Sequence, residues 1–344
     1  MRNILVVFTG GTIGSAPQGG VIDVNSKTGS ELLERYWREA GGADVQFHVI
    51  RPMEMLSENC TPAHWQTLVA ALDGADMAQY DGVVITHGSD TLSYTAALLG
   101  YLYGSLGIPI VLTASGTPLS DPRTNGVRNF AAAVALIKNE NLPGVFVVYE
   151  NSRGVMDVFL ATRLVEADLY ADDFSGFDGG PLGAMEDGRL NLHSRMGNPT
   201  RQELAAPRAP VTAPRTFQNE VLAISPYPGL DYTLFDLSQS NVKAVLHRLY
   251  HSATACSHPG RHGLQEFIRR CRAEGVEVFL QSVKGGRELY VTTHEMLQAG
   301  AVALPLMSFE AAYTKLYLAT NQREMPLRKF MLRPLYFEFL SEGI

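Results

Sequence analysis

Two short stretches carry the residues that could do chemistry. The first, TGGTIGS at 9–15, sets Thr9, Thr12 and Ser15 among Gly10, Gly11 and Gly14. The second, THGSDT at 86–91, sets Ser89, Asp90 and Thr91 behind His87 and Gly88. Glycines permit positive φ and close backbone approach, so a hydroxyl can stand beside freed backbone N–H groups. A threonine placed so is a candidate nucleophile whose oxyanion those N–H groups would stabilise, provided a base or a charged neighbour activates it. A second hydroxyl could serve as relay, and Asp90 as proton acceptor or as anchor for a cationic group. Two blander readings stand beside these. The glycine turn could be a phosphate or nucleotide loop or a plain strand-to-loop turn, and Ser89 and Asp90 could merely cap a helix starting near Thr91. The usual phosphate fingerprints are absent. Neither GxxxxGKS nor GxxxxGKT occurs, and Pro17, Gly19 and Gly20 keep the chain in a loop where a dinucleotide fold would open a helix.

The elements that must position these groups alternate between two types. Ile4–Phe8 is a short apolar run, rich in β-branched residues and without alternation, which predicts a strand buried on both faces of a parallel sheet. Val45–Ile50, Gly82–Thr86, Ile108–Thr113 and Gly144–Tyr149 read as further strands. Helical spacing covers Gly29–Glu39, Ser57–Asp73 with Pro62 in its opening turn, Leu92–Leu106 and the Ala-rich Val127–Lys138, while Ala114–Thr124 is a polar loop. This is the pattern of an α/β doubly wound parallel sheet, expected over 1–190. Three of its strands end in Thr, Ser or Asp clusters, at the sheet edge where open α/β folds bind ligands. Pro199, Pro207, Pro210 and Pro214 mark 191–215 as a linker. Strands at Val221–Ser225, Lys243–His247 and Glu277–Gln281, with helices at Gly263–Arg272, Ser308–Thr320 and Glu324–Lys329, predict a second, smaller α/β domain over 216–344.

Composition narrows the function classes. The 344 residues suffice for two ordinary domains, and 46% hydrophobic with 18% charged residues is a globular balance. A net charge of −7 argues against a general nucleic-acid binder, so a small-molecule ligand is expected. No apolar run reaches the roughly 18 residues of a membrane span, and the start Met1-Arg2-Asn3 enters a strand at once, so no signal segment, no membrane role and a cytoplasmic location are expected. Cys60, Cys256 and Cys271 are too scattered for a disulfide framework. His247, His251, His258 and His262, spaced four, seven and four apart, could share a helical face, but Pro259 and Gly260 break any helix there and neither HExxH nor a Cys partner occurs, so no metal is expected.

TGGTIGS together with THGSDTL at 86–92 resembles the two signature motifs of the bacterial-type L-asparaginases, usually TGGTI and HGTDT. LSENCTPAHW at 56–65, VLTASGTPLSDPRTNGVRN at 111–129, VKAVLHRLY at 242–250 and SFEAAYTKLYLA at 308–319 are similar to family segments in family order. Length and the absence of a leader resemble the cytoplasmic type I branch. The resemblance implies two α/β domains, a homodimer or a tetramer of dimers, and carboxamide hydrolysis through a threonine acyl-enzyme without a cofactor. It implies Thr12 as nucleophile, Ser89 as activator of water or nucleophile, Asp90 as holder of the substrate α-ammonium and Ser57 as binder of its α-carboxylate. Gly11 and Gly88 are implied at the substrate, and backbone N–H groups near Ser89 and Ala114 at the oxyanion.

Three departures bear on function. The family lysine that works with the second motif has no match in FLATRLVEADLYADDF at 159–174, where Arg163 is the nearest equivalent. Guanidinium supplies fixed charge but cannot act as a base. The loop SAPQGGVIDV at 15–24 lacks the family tyrosine, leaving Tyr36 on a predicted helix as the nearest one, and Ser89 replaces threonine. Two functions follow: an amidohydrolase acting on asparagine or a larger amide, or a binding protein that keeps the pocket without efficient turnover.

Overall fold

A computed structural model gives the architecture. It describes residues 1–344 except 12, 14, 19–20, 25–27, 43, 213, 215, 282, 284–287 and 341–344, with the backbone alone at 15–18, 21–24, 28 and 30. By contact the chain divides into two compact units, Met1–Thr212 and Ala213–Ile344.

The first unit opens with β1 (Arg2–Phe8), whose residues Ile4–Phe8 are at most 5% exposed. The chain continues through β2 (Ser15–Gln18), β3 (Val21–Val24), α1 (Thr28–Ala40), β4 (Val45–Ile50), α2 (Pro62–Asp73), β5 (Gly82–Thr86) and α3 (Leu92–Tyr103). Then come β6 (Pro109–Thr113), α4 (Gly126–Glu140), β7 (Gly144–Glu150), β8 (Met156–Leu160), β9 (Gly183–Glu186), β10 (Arg189–Leu192) and the short α5 (Arg201–Ala205). The main sheet has the order β10-β9-β8-β7-β6-β5-β1-β4. From β7 to β4 every pairing is parallel, and β5 and β6 are buried at every position, which explains why those segments read as unbroken apolar runs.

The parallel reading needs correction at one edge, where β8, β9 and β10 pair antiparallel. The β9–β10 hairpin turns through Asp187 and Gly188, with φ of 48° and 71°, the two left-handed positions of a type I′ turn. An Asp-Gly pair is a hairpin signal, but strands of four residues are too short for their alternation to stand out. A second correction concerns 15–24, read as loop, where β2 and β3 pair antiparallel. A third concerns Ser57–Asp73, which is not one helix. Ser57–Asn59 forms a separate turn, and Thr61, held extended at φ −130° and ψ 167° ahead of Pro62, makes α2 begin at the proline. Ser57 is thereby left on a loop. The stretch 191–215 carries the end of β10 and α5, where Thr200 and Glu203 form a capping box and Leu204 is fully buried.

The second unit comprises β11 (Val221–Ile224), β12 (Ala244–Arg248), α6 (Leu264–Ala273), β13 (Glu277–Gln281), α7 (Val291–Gln298), β14 (Val302–Ala303), α8 (Phe309–Asn321) and α9 (Leu327–Leu332). Its four strands form a parallel sheet in sequence order. The sequence does not foresee α7 or the two-residue β14, and places α9 too early because a helix cannot run through Pro326, which stands at its N-cap. Within this unit the buried Lys315 of α8 donates to Glu338 Oε1 at 2.6 Å, both side chains 0% exposed. No helix among the described residues is long and apolar enough to cross a membrane.

Candidate active site

The ends of four neighbouring strands and the loop after β4 build one corner of the first unit. Thr9, just past β1, donates from Oγ1 to the Thr86 carbonyl at the end of β5, at 2.8 Å. Gly11 N–H donates to the Met55 carbonyl at 2.9 Å and Met55 N–H to the Thr9 carbonyl at 3.0 Å, which ties the glycine turn to the chain entering Ser57. His87 N–H donates to the Thr113 carbonyl at 2.9 Å, tying β5 to β6. Past β6, the Asn129 side chain donates to the Ala114 carbonyl at 2.9 Å and accepts from Glu150 N–H at 2.8 Å, fixing Ala114 against the end of β7.

Two glycines are demanded by this crowding. Gly11 has φ +78° and lies against the Gly88 backbone, where a side chain would collide. Any side chain at Gly88 would run into the Ser57 side chain. Three loops, carrying Gly11, Ser57 and Gly88, therefore meet closely, Gly11 on the Gly88 backbone and Gly88 on the Ser57 side chain.

The buried Ser57 hydroxyl, 3% exposed, donates to Asp90 Oδ2 at 3.0 Å. Thr91 Oγ1 donates to the Ser57 carbonyl at 2.9 Å. Two residues that the sequence proposes for substrate carboxylate and ammonium thus stand in direct contact across 33 positions. Asp90 is exposed, and neither Ser89 nor Asp90 caps α3, whose N-cap Thr91 makes no side-chain cap bond. The helix-capping reading therefore does not explain the cluster. Ser89 is half-buried, and its backbone N–H donates to no other described residue. Thr12 lies outside the described residues; its neighbours Gly11 and Ile13 are buried.

Arg163, the sequence candidate for the missing lysine, is 6% exposed and donates from Nη1 to the Gly197 carbonyl at 2.6 Å. The same nitrogen is 3.6 Å from Asp178 Oδ2. The Leu164–Gly176 bridge folds the chain back to bring this carboxylate under the guanidinium, so the positive charge is compensated locally. Within 159–174, Glu166 accepts from Tyr94 Oη of α3 at 2.6 Å, a contact that the sequence does not suggest. Tyr36 is a core residue, edge-on to Phe47 and Phe130 at 5.4 and 5.5 Å, and burial raises its phenol to about 12.

A cavity of about 290 Å³ opens past the carboxyl ends of β6 and β7. Gly116, Asn125, Arg128, Tyr149 and Asp172 line it. Arg128 pairs with Glu150, and burial, outweighing the hydrogen bond with Asn125, raises the Tyr149 phenol.

The histidines disperse, and among the described residues no three His, Cys, Asp or Glu side chains form a metal-holding group. His247 lies in the core of the second unit, 2.8 Å from Tyr232 Oη. Burial lowers both His87 and His247 to about 4. Unfolded histidine titrates near 6.5, so the unfolded chain takes up protons first as pH falls. The stability from these neutral rings is complete above about pH 6.5 and drains away as pH approaches 4, by roughly 3 kcal/mol per ring at most. Urea midpoints should fall steadily from pH 7 to 4.5, and His247→Gln should flatten that slope; an unchanged slope in the variant contradicts the assignment.

Comparison with known proteins gives a consistent picture. The family model "Asparaginase, N-terminal" matches residues 3–197. The chain is 27% identical over 334 residues to L-asparaginase 1 of Escherichia coli K12, covering 93% of this chain and 92% of that one. It is 28% identical over 337 residues to the L-asparaginase of Thermococcus kodakarensis, covering 96% of this chain and 97% of that one. The fold matches the solved structure of the thermostable L-asparaginase from Thermococcus kodakarensis with a TM-score of 0.77 at 24% identity, over 98% of this chain and 99% of that one.

Proposed function

The chain belongs to the asparaginase family, and we propose that it hydrolyses a carboxamide through an acyl-enzyme formed on Thr12. The observation that carries this reading is the Ser57–Asp90 contact at the mouth of the glycine turn. It sets a hydroxyl that can turn its one proton from Asp90 to an α-carboxylate beside an anion for an α-ammonium, which suits an amino-acid amide.

In the proposed reaction Thr12 Oγ attacks the amide carbon, and its proton passes to the leaving nitrogen with the Ser89 hydroxyl as relay. The tetrahedral oxyanion is held by backbone N–H groups near Ser89 and Ala114, an effect worth roughly 3–4 kcal/mol per donor in enzymes where it is measured. Ammonia or an amine departs, and water then cleaves the Thr12 ester to release the carboxylate and restore the hydroxyl. Gly11 and Gly88 serve by letting the backbone reach the substrate. Arg163, compensated by Asp178, contributes fixed charge and structure rather than a proton.

The loop 15–24 lacks the family tyrosine, and this departure supports a substrate larger than a free primary amide. On the family resemblance we place the protein in the cytoplasm as a homodimer or a tetramer of dimers, without cofactor. The test is product release from asparagine, glutamine and a panel of N-substituted amides. Larger amides should be cleaved with the higher kcat/KM; free asparagine turned over at about 10⁴ M⁻¹s⁻¹ or above removes the broadened-substrate part. The absence of a lysine in 159–174 favours one second reading, a binding protein. No release from any amide, with aspartate binding that Asp90→Ala removes, establishes that reading instead.

A further inference from the structure

The His87 ring is 0% exposed, and its Nδ1 lies 2.8 Å from the Gly88 carbonyl oxygen. A carbonyl only accepts, so Nδ1 carries the proton and Nε2 is bare, with no hydrogen-bond partner among the described residues. The bond therefore defines both the tautomer and the direction of the Gly88 carbonyl.

That direction has a consequence one atom further on. A trans peptide is planar with C=O and N–H antiparallel, so a Gly88 carbonyl drawn toward the buried ring turns the Ser89 N–H the opposite way. Ser89 N–H donates to no described residue, and the proposed reaction calls on a backbone N–H at this place as an oxyanion donor. Gly88 cannot stiffen this peptide itself. The Ser57 side chain excludes any Cβ there, and glycine allows the flanking torsions to move freely. An anchor outside the peptide is required, and His87, whose own N–H is locked to Thr113, supplies it.

We propose that His87 is a positioning residue: its neutral Nδ1–H fixes the Gly88–Ser89 peptide so that Ser89 N–H faces the carbonyl oxygen of the substrate. This rests on the amidohydrolase reading of the site. Burial supports it independently, since it keeps the ring uncharged at neutral pH and so compatible with its closed surroundings.

Three substitutions separate this role from packing. His87→Asn places an amide N–H where Nδ1–H stood, His87→Gln places one at the Nε2 position, and His87→Leu has none. Leucine and glutamine should lower kcat by about 10²-fold, the scale of losing one oxyanion donor, with KM within about threefold. Asparagine should recover most of kcat although, as the smallest of the three, it leaves the most space unfilled, so packing cannot account for the recovery, and urea midpoints read the packing loss separately. Asparagine as impaired as leucine at equal stability, or leucine fully active, overturns the role. A second readout needs no activity: with ¹⁵N at histidine, the wild-type His87 ring at pH 7 should show the Nδ1–H tautomer. An Nε2–H or doubly protonated ring overturns the positioning role alone, whereas a wild-type protein inert toward every amide overturns the enzyme reading alone.

Discussion

Thr12→Ala should lower kcat/KM for every amide that the wild-type protein hydrolyses by about 10³-fold or more, without moving the urea midpoint. The expected loss is large because a nucleophile acts only in the bond-making step, and the remaining donors stabilise an oxyanion that no longer forms. Stability should hold because bonds from the flanking described residues tie the turn down: Gly11 N–H to Met55, Met55 N–H to Thr9, and Thr9 Oγ1 to Thr86. Asp90→Ala should be comparably severe but divided between KM and kcat, since it removes the proposed ammonium anchor and the partner of Ser57 Oγ together. Steady-state kinetics on the best substrate of the panel, with unfolding curves for both variants, make the comparison. Activity of Thr12→Ala within tenfold of wild type would falsify the acyl-enzyme mechanism.

The second large effect concerns stability. Lys315 Nζ is enclosed with Glu338, 4.2 Å above the Phe339 ring, and Glu338 also accepts the N–H groups of Leu335 and Tyr336 at 2.9 and 2.7 Å. This one carboxylate fastens the 335–339 segment to α8. Burial pulls the Lys315 ammonium below its ordinary range while Glu338 opposes that shift, so the charged state depends on the pair staying together. Lys315→Met should cost about 3–5 kcal/mol, because it strands a buried carboxylate. The double variant Lys315→Met with Glu338→Leu should recover part of that loss, since no charge then remains buried. Chemical denaturation decides: a single-variant cost below about 1 kcal/mol, or a double variant as unstable as the sum of its parts, contradicts the account.

Arg163 shows how far local sequence can mislead about a charge. In the chain it is the cation nearest to where a lysine is sought. In the fold, the Leu164–Gly176 bridge and the loop ending at Gly197 give it Asp178 and a carbonyl as partners. Nothing within the few residues around Arg163 announces a carboxylate fifteen positions away.

The parallel strands and the positions of the two chemical clusters are legible in the residues alone. Strands buried on both faces must be apolar throughout, so Ile4–Phe8, Gly82–Thr86 and Gly144–Tyr149 declare themselves, and Gly10 and Gly11 of TGGTIGS mark a turn that no bulkier residue could make. Two-residue signals such as Asp187-Gly188 are present but weak, because each flanking strand has only four residues. It takes the folded chain to show that Ser57 leaves its expected helix and meets Asp90, that Gly88 must stay bare to admit Ser57, and that His87 turns its ring onto the next carbonyl. Those contacts depend on the lateral order of β6, β5, β1 and β4. Strand order is set by packing between segments far apart in the chain, so no local pattern of residues carries it.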